Sequence, residues 1–261
     1  MMMKNVSIEQ LKSIKINKKI VNAHDGMYDN VHGDQFNPSK WDRILEEAYN
    51  RICWFLSKLS QTHDLNDVKV IFDVGSLNGA EAIYMGQILP HAKVYSFDAN
   101  PIAALMIRDN QKQYGDRFHC IQKAVSDYNG TATFHLLPSA SQGASSLLKP
   151  IGGIVPGIDN VYTTISVECT TIEKFCKDNS IDHVDLLWID AQGTELNVLK
   201  GIGPDISKVK TVYAETGKIP YYENHTLEPE ITAYLQKYNF VKQDKFNNGN
   251  IWEEDNLYIR A

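Results

Sequence analysis

The chain has 261 residues, 43% of them hydrophobic, and a formal net charge of −6 at neutral pH. That length and apolar content are enough to bury the core of one large α/β domain. Lysines and arginines are scattered rather than clustered, which argues against a nucleic-acid partner, whose binding rests on a basic surface.

The N-terminus, Met1-Met2-Met3-Lys4-Asn5-Val6-Ser7, leads into polar and charged residues rather than an apolar signal region. The longest apolar runs fall far short of the roughly 20 residues needed to span a bilayer, so a soluble protein with no membrane partner is expected. Cys53, Cys120, Cys169 and Cys176 form no C-x-x-C pair and no zinc spacing. Buried free thiols are expected of them, and with them a reducing, cytoplasmic location.

Residues 1–37 read as an N-terminal extension, with Ser7 positioned to cap a short helix. Residues 24–34 are polar, punctuated by glycine and rich in His and Asp, as in a surface loop or a lid. No helix or strand spacing gathers those side chains into a metal site. A helix then runs from Pro38 to about Ser60. Trp41, Ile44, Leu45, Ala48, Ile52, Phe55, Leu56 and Leu59 recur at helical spacing as a core-facing stripe.

Lys69-Val70-Ile71-Phe72-Asp73-Val74-Gly75-Ser76-Leu77-Asn78-Gly79 reads as a strand, a tight glycine turn and a helix N-terminus. A doubly wound α/β sheet opens its nucleotide crevice in this way. The dinucleotide pattern G-x-G-x-x-G is not met, because Leu77 takes the place of the middle glycine. Asp73 would also set a negative charge near two phosphates. A cofactor with cationic groups and no phosphate, such as S-adenosylmethionine, suits this loop better. A helix over 80–89 stops at Pro90. The next strand, 94–97, ends at Asp98, whose carboxylate can accept hydrogen bonds from both hydroxyls of a ribose. Pro101 suits the first turn of a helix over 102–114. A third strand over 118–125 puts Ala124 to Asp127 on the rim of the crevice.

Residues 131–137 alternate as a strand, and 139–156, rich in Ser, Gly and Pro with no helical period, form an unusually long loop. After a strand over 165–169, Thr170 and Glu173 are spaced as a capping box for a helix over 172–179. A buried strand over 184–190 ends at Asp190. In the helix over 194–200, Glu195 complements the dipole from the first turn. The strand over 209–215 ends at Glu215, and an amphipathic helix covers 227–238. Residues 240–242 and 256–259 form a closing antiparallel hairpin around a 247–250 loop.

Phe72 to Gly79, Phe97-Asp98-Ala99-Asn100-Pro101 and Asp185 to Gly201 together resemble the FkbM family of S-adenosylmethionine-dependent O-methyltransferases, over residues 68–259. Asp98-Ala99-Asn100-Pro101 stands where the family usually has Glu-Pro-Asn-Pro, which keeps the acid, and Gln192 stands where it often has Glu. The resemblance implies a doubly wound, Rossmann-like, seven-stranded and mostly parallel sheet of the class I methyltransferase type, closed by an antiparallel hairpin, over residues 38–261. It further implies cofactor contacts at Asp73, Gly75, Ser76, Asn78, Gly79, Asp98, Ala99, Ala124, Val125, Ser126 and Asp190. Val125 would wall the adenine, with Ser126 or Asp127 near its amine. Ser145-Ser146-Leu147 would stand on the acceptor side.

Methyl transfer from a sulfonium needs positioning first and a base second. Asp190, Glu215 and His225 all fall at or after strand carboxyl ends, where ligands bind. Asp190 is the leading candidate for base or substrate-orienting group, Glu215 for a substrate contact or structural partner, and His225 for a loop residue or a catalyst. A divalent metal could be accommodated but is not expected. The expected reaction is O-methylation of a hydroxyl on a sugar, glycan or other small metabolite, with the oligomeric state left open. The alternatives are an NAD-dependent oxidoreductase, against which Leu77 and Asp73 count, and a non-catalytic cofactor-binding module of the same fold.

Overall fold

Strands that are apolar on both faces need helices on both sides, and that requirement organises this chain. The computed structural model describes residues 2–20, 38–154, 161–246, 249 and 251–261, with the backbone alone for 38–41 and 139–141. The 24–34 segment, the end of the long loop and most of the 247–250 turn lie outside those residues.

Helix α1 (Ile8–Lys12) starts at Ser7, whose hydroxyl accepts from the Gln10 amide while the Gln10 side chain accepts from the Ser7 amide. Helix α2 (Pro38–Ser60) leads into β1 (Val70–Val74), α3 (Ala80–Ile88), β2 (Lys93–Phe97) and α4 (Pro101–Gln111). Next come β3 (Phe118–Ile121), β4 (Ala124–Val125), β5 (Gly130–Leu136), β6 (Thr163–Thr170) and α5 (Ile172–Asp178). The chain ends with β7 (Val184–Ile189), α6 (Glu195–Lys200), β8 (Val209–Gly217), α7 (Glu228–Gln236), β9 (Phe240–Phe246) and β10 (Glu253–Arg260).

Seven strands form one sheet in the order β3-β2-β1-β7-β8-β10-β9. The first five are parallel, and β10 runs antiparallel to both β8 and β9. The chain winds outward from β1 in one direction and returns through β7 on its other side. The carboxyl ends of β1 and β7 therefore sit at the topological switch point.

Side chains alternate across the sheet with period two. Ile71, Leu186 and Trp188 pack toward α2 and α3, whereas Phe72, Val74, Leu187 and Ile189 pack into a second cluster with Val198, Leu199 and Phe175. The α2 stripe lands as its spacing predicts: Ala48, Ile52, Phe55, Leu56 and Leu59 are buried, and Ile44 and Leu45 are half-buried. Phe55 meets Trp188 and Tyr213 edge-on, at 5.4 and 5.6 Å between ring centres, and those two rings stack at 3.5 Å.

Four local readings differ from the structure. Residues 118–125 are not one strand: β3 joins the large sheet, and β4 pairs with β6 in a separate three-stranded sheet of order β4-β6-β5. The apolar run gives no sign of that break, because both halves are half-buried or buried. Within the loop after β5, residues Ser139–Ala144 form a 3₁₀ helix, which three-residue periodicity cannot announce in so short a segment. The cap of α5 is Thr171, whose hydroxyl accepts from the Lys174 amide. Glu173 closes no capping box; its amide donates to the Gly201 carbonyl instead. Among the cysteines all four thiols are free, with Cys53 and Cys169 buried and the other two half-buried.

Candidate active site

The glycine turn after β1 and the loop after β7 touch directly. Gly75 has φ +84° and its amide donates to the Phe97 carbonyl at 2.9 Å. A Cβ added there would come within 1.7 Å of the Asp190 carbonyl oxygen, so only glycine lets the two loops share the mouth of the crevice. Leu77, also at positive φ (+50°), donates its amide to Asp98 Oδ2 at 2.8 Å, and the Asn100 amide donates to Oδ1 at 2.8 Å. Asp98 thus enters the crevice with both oxygens oriented by backbone and with acceptor capacity left over.

Gly75, Asp98, Ala99, Ala124, Val125 and Asp190 line one cleft. The other expected cofactor contacts lie behind it. Asp73 is buried and accepts from the Ser76 hydroxyl; burial, with Glu81 nearby, pushes its carboxyl well above the usual range. Asp73 sits under the glycine turn, bonded to Ser76, and is not among the residues that line the cleft. Asn78 caps α3 by accepting from the Ala80 amide at 3.0 Å, and Gly79 supplies the αL turn (φ +79°) at its N-cap. Ser126 is buried, its amide donating to the Thr170 carbonyl. A wider cleft of about 350 Å³ opens beside Cys176, His183 and Lys208 where β7 and β8 begin, away from the strand carboxyl ends where ligands of such sheets bind.

On the far side of Gly75 stands a second group of acids. Asp190 and Glu215, at the ends of β7 and β8, are both reached by the Gln192 amide nitrogen, at 2.6 and 3.1 Å. Burial, opposed by Arg51, brings the Asp190 carboxyl up to about 6. Burial and the neighbouring Asp190 push Glu215 well above its ordinary range. Burial thus raises both carboxyls, which share the one Gln192 amide. Arg51 of α2 is the cation facing this group: its Nη2 pairs with Glu81 at 2.8 Å, and its Nη1 lies 3.7 Å from Asp255 and 3.9 Å from Glu215. So many carboxyls around one guanidinium cannot all ionise.

His225 does not line the crevice. It is 8% exposed, packs edge-on to Tyr221 and accepts from the Tyr221 amide through Nδ1, while Nε2 has no partner among the described residues. Burial lowers its pKa to about 4, so it stands as a neutral ring wedged against Gly193 and Gly217. Glu195 sits in the first turn of α6, as its spacing predicts, but is drawn inside. It is 2% exposed, and its Oε1 accepts from the amides of Ala191 (3.1 Å) and Gly193 (3.0 Å).

Sequence reasoning missed Leu77, Asn100, Arg51 and Tyr222. Asn100 left a trace: its Oδ1 caps α4, and its Nδ2, in the crevice wall, is a buried donor without a partner among the described residues. Arg51 left none, since an arginine on the polar edge of a helical stripe looks solvated.

This arrangement of acid, glycine turn and second acid at the switch point coincides with a family match. Residues 73–242 match the methyltransferase FkbM domain. The chain belongs to the FkbM methyltransferase family. It is similar to the 2-O-methyltransferase NoeI of Sinorhizobium fredii, at 29% identity over 182 residues, 67% of this chain and 74% of NoeI. It is also similar to the methyltransferase sdnD of Sordaria araneosa, at 22% identity over 228 residues, 76% of this chain and 81% of sdnD. The magnesium protoporphyrin IX methyltransferase ChlM of Synechocystis, solved with bound S-adenosylmethionine, shares the fold. Its TM-score is 0.50 at 12% identity, with 90% of this chain and 89% of ChlM covered. The seven-stranded sheet is that of the class I methyltransferases, and this FkbM protein is an S-adenosylmethionine-dependent methyltransferase. The NAD-dependent alternative falls with that assignment. Among the described residues, no cluster of three or more His, Cys, Asp or Glu side chains is arranged to hold a metal ion, and no helix is long and apolar enough to cross a membrane.

Proposed function

We propose that this FkbM protein methylates a hydroxyl group on a sugar, glycan or other small metabolite, with Asp190 as the base. The observation that carries the reading is Asp190 itself: a carboxylate with a pKa near 6, at the rim of the crevice, in contact with the glycine turn through its own backbone. A base titrating just below neutral pH is ionised when needed and still basic enough to take a proton. The 2-O-methyltransferase activity in the name of NoeI supports an oxygen acceptor.

The residues present fit the cofactor. Asp98 offers acceptors for two ribose hydroxyls, Asn100 Nδ2, unpartnered among the described residues, offers a buried donor, and Ala124 and Val125 offer an apolar wall for a base. When bound, S-adenosylmethionine supplies an electrophilic methyl group. The protein's part is to align the attacking hydroxyl, keep water out and receive the proton. Asp190 would receive the proton the hydroxyl loses, with Glu215 held beside it through the same Gln192 amide. The four free cysteines fit a cytoplasmic setting for this reaction.

The test supplies S-adenosylmethionine with a panel of methyl glycosides and follows S-adenosylhomocysteine release and product mass. Turnover of at least one glycoside is expected. Asp190→Asn should lower kcat by about 10²–10⁴-fold, the usual worth of a general base, while S-adenosylhomocysteine binds within about twofold of wild type. A larger loss of binding than of turnover would make Asp190 a cofactor ligand instead. Tight binding with no acceptor turned over would favour the non-catalytic module.

A further inference from the structure

We propose that Gln192 is a positioning residue that holds the Asp190 carboxyl as the anion facing the methyl donor's cationic centre. This role rests on the methyl-transfer reading above. The Gln192 side chain is matched to its surroundings at every polar atom. Nε2 donates to Asp190 Oδ1 at 2.6 Å and to Glu215 Oε2 at 3.1 Å, and Oε1 accepts from the Tyr222 hydroxyl at 3.0 Å. Two carboxyl acceptors and one hydroxyl donor are satisfied together by a primary amide, which has two N–H donors and one acceptor. A glutamate in this place would set a third carboxyl against the other two.

The backbone is built to aim that amide. Gln192 has φ +51°, a conformation that side chains with a Cβ adopt only when their surroundings impose it. Here three contacts from outside the residue impose it. Ser146 Oγ donates to the Gln192 carbonyl at 2.7 Å, Glu195 Oε1 accepts from the amides on either side, and Thr194 Oγ1 donates to the Ala191 carbonyl at 2.9 Å. Tyr222, itself fully buried, shares its single hydroxyl hydrogen between Gln192 Oε1 and the Ala144 carbonyl at 2.6 Å, so the amide borders the loop after β5 as well. The other charged groups facing the carboxyl pair are Arg51 from α2 and Glu253 and Asp255 from β10. Arg51 Nη2 is engaged by Glu81 at 2.8 Å, so the groups hydrogen-bonded to the Asp190 carboxyl are the Gln192 amide, at 2.6 Å, and the Glu215 carboxyl. A hydrogen bond donated to a carboxylate favours its charged form.

The inference is tested without any acceptor by titrating two probes calorimetrically. Sinefungin carries an ammonium where the methyl donor carries its sulfonium, and S-adenosylhomocysteine is neutral there. Gln192→Met keeps the length of the side chain and removes its donors. It should leave S-adenosylhomocysteine affinity within about twofold and weaken sinefungin about tenfold, as expected if Asp190 takes up a proton at neutral pH. Tyr222→Phe frees the amide oxygen and should shrink the preference for sinefungin by about threefold in the same direction, which keeps the test usable if Gln192→Met folds poorly. A purely structural role would weaken both probes alike. That pattern, or an unchanged preference in both variants, overturns the proposal. With a methyl glycoside as acceptor, Gln192→Met should lower kcat and leave KM nearly unchanged. A wild-type protein that binds both probes but methylates no glycoside would count against the sugar-acceptor reading and leave the probe ratio to decide on Gln192.

Discussion

Two carboxyls, Asp98 half-buried in the cleft and Glu195 fully buried, make opposite use of their surroundings. Burial pushes Asp98 up to about 7 against the backbone hydrogen bonds from Asn100 and Leu77. Ribose hydroxyls donate to the ionised form, so S-adenosylhomocysteine should bind more tightly as pH rises toward 7 and level off above it, a slope that calorimetry would read. Asp98→Asn should flatten that slope, and Asp98→Ala should weaken binding by about 1.5–3 kcal/mol for each hydrogen bond lost. Glu195, pushed up to about 8 by burial, holds a proton when folded that it would release when unfolded. The folded state therefore loses stability as pH climbs from the ordinary carboxylate range toward 8. Glu195→Gln imitates the protonated side chain, so its melting temperature relative to wild type should climb steadily between pH 5 and 8. A constant difference would mean that Glu195 is ionised in the fold.

Loops at the switch point are set by backbone clearance as much as by side chains. Gly75 is the tightest case, since an added Cβ would meet the Asp190 carbonyl at 1.7 Å with φ already at +84°. Gly75→Ala must push the end of β1 away from the end of β7. It should cost about 2–4 kcal/mol in urea unfolding and abolish measurable S-adenosylhomocysteine binding. Unchanged binding would show that the cofactor does not use the crevice between those strands. Helix α2 acts at the same scale, although it precedes the matched 73–242 region. Phe55 anchors it on the sheet, and one turn earlier Arg51 delivers the guanidinium that faces Glu215 and Asp255.

For the whole molecule, the fold assignment predicts a selective ligand response. S-adenosylhomocysteine at a hundred times its Kd should stabilise the protein by about 2.7 kcal/mol, a rise in Tm of about 5–10 °C for a domain of this size. NAD at the same concentration should not move it, and an equal shift with NAD would contradict a crevice built for a nucleoside without phosphates. The strands β1, β2, β7 and β8 were legible because each apolar run ended in an acid or a glycine turn and a helical period followed, whereas their order in the sheet came from the structure. The three-stranded side sheet was not legible, because β4 is two residues long and its partner β6 lies some forty positions further along the chain.

By itself the sequence determined most of the helices and strands, the doubly wound class and the acids at the ends of β1, β2, β7 and β8, because strand and helix periods and turn residues are local properties. Only the tertiary structure decided which acids face the crevice. Asp73 turns under the glycine loop while Asp98 enters the cleft, Glu195 is drawn inside to hold the loop after β7, and His225 is sealed between two glycines. The same holds for the frame of Gln192, Tyr222 and Arg51, whose members come from three distant parts of the chain. Desolvation and charge proximity depend on distance in space, and spacing along the chain does not encode it.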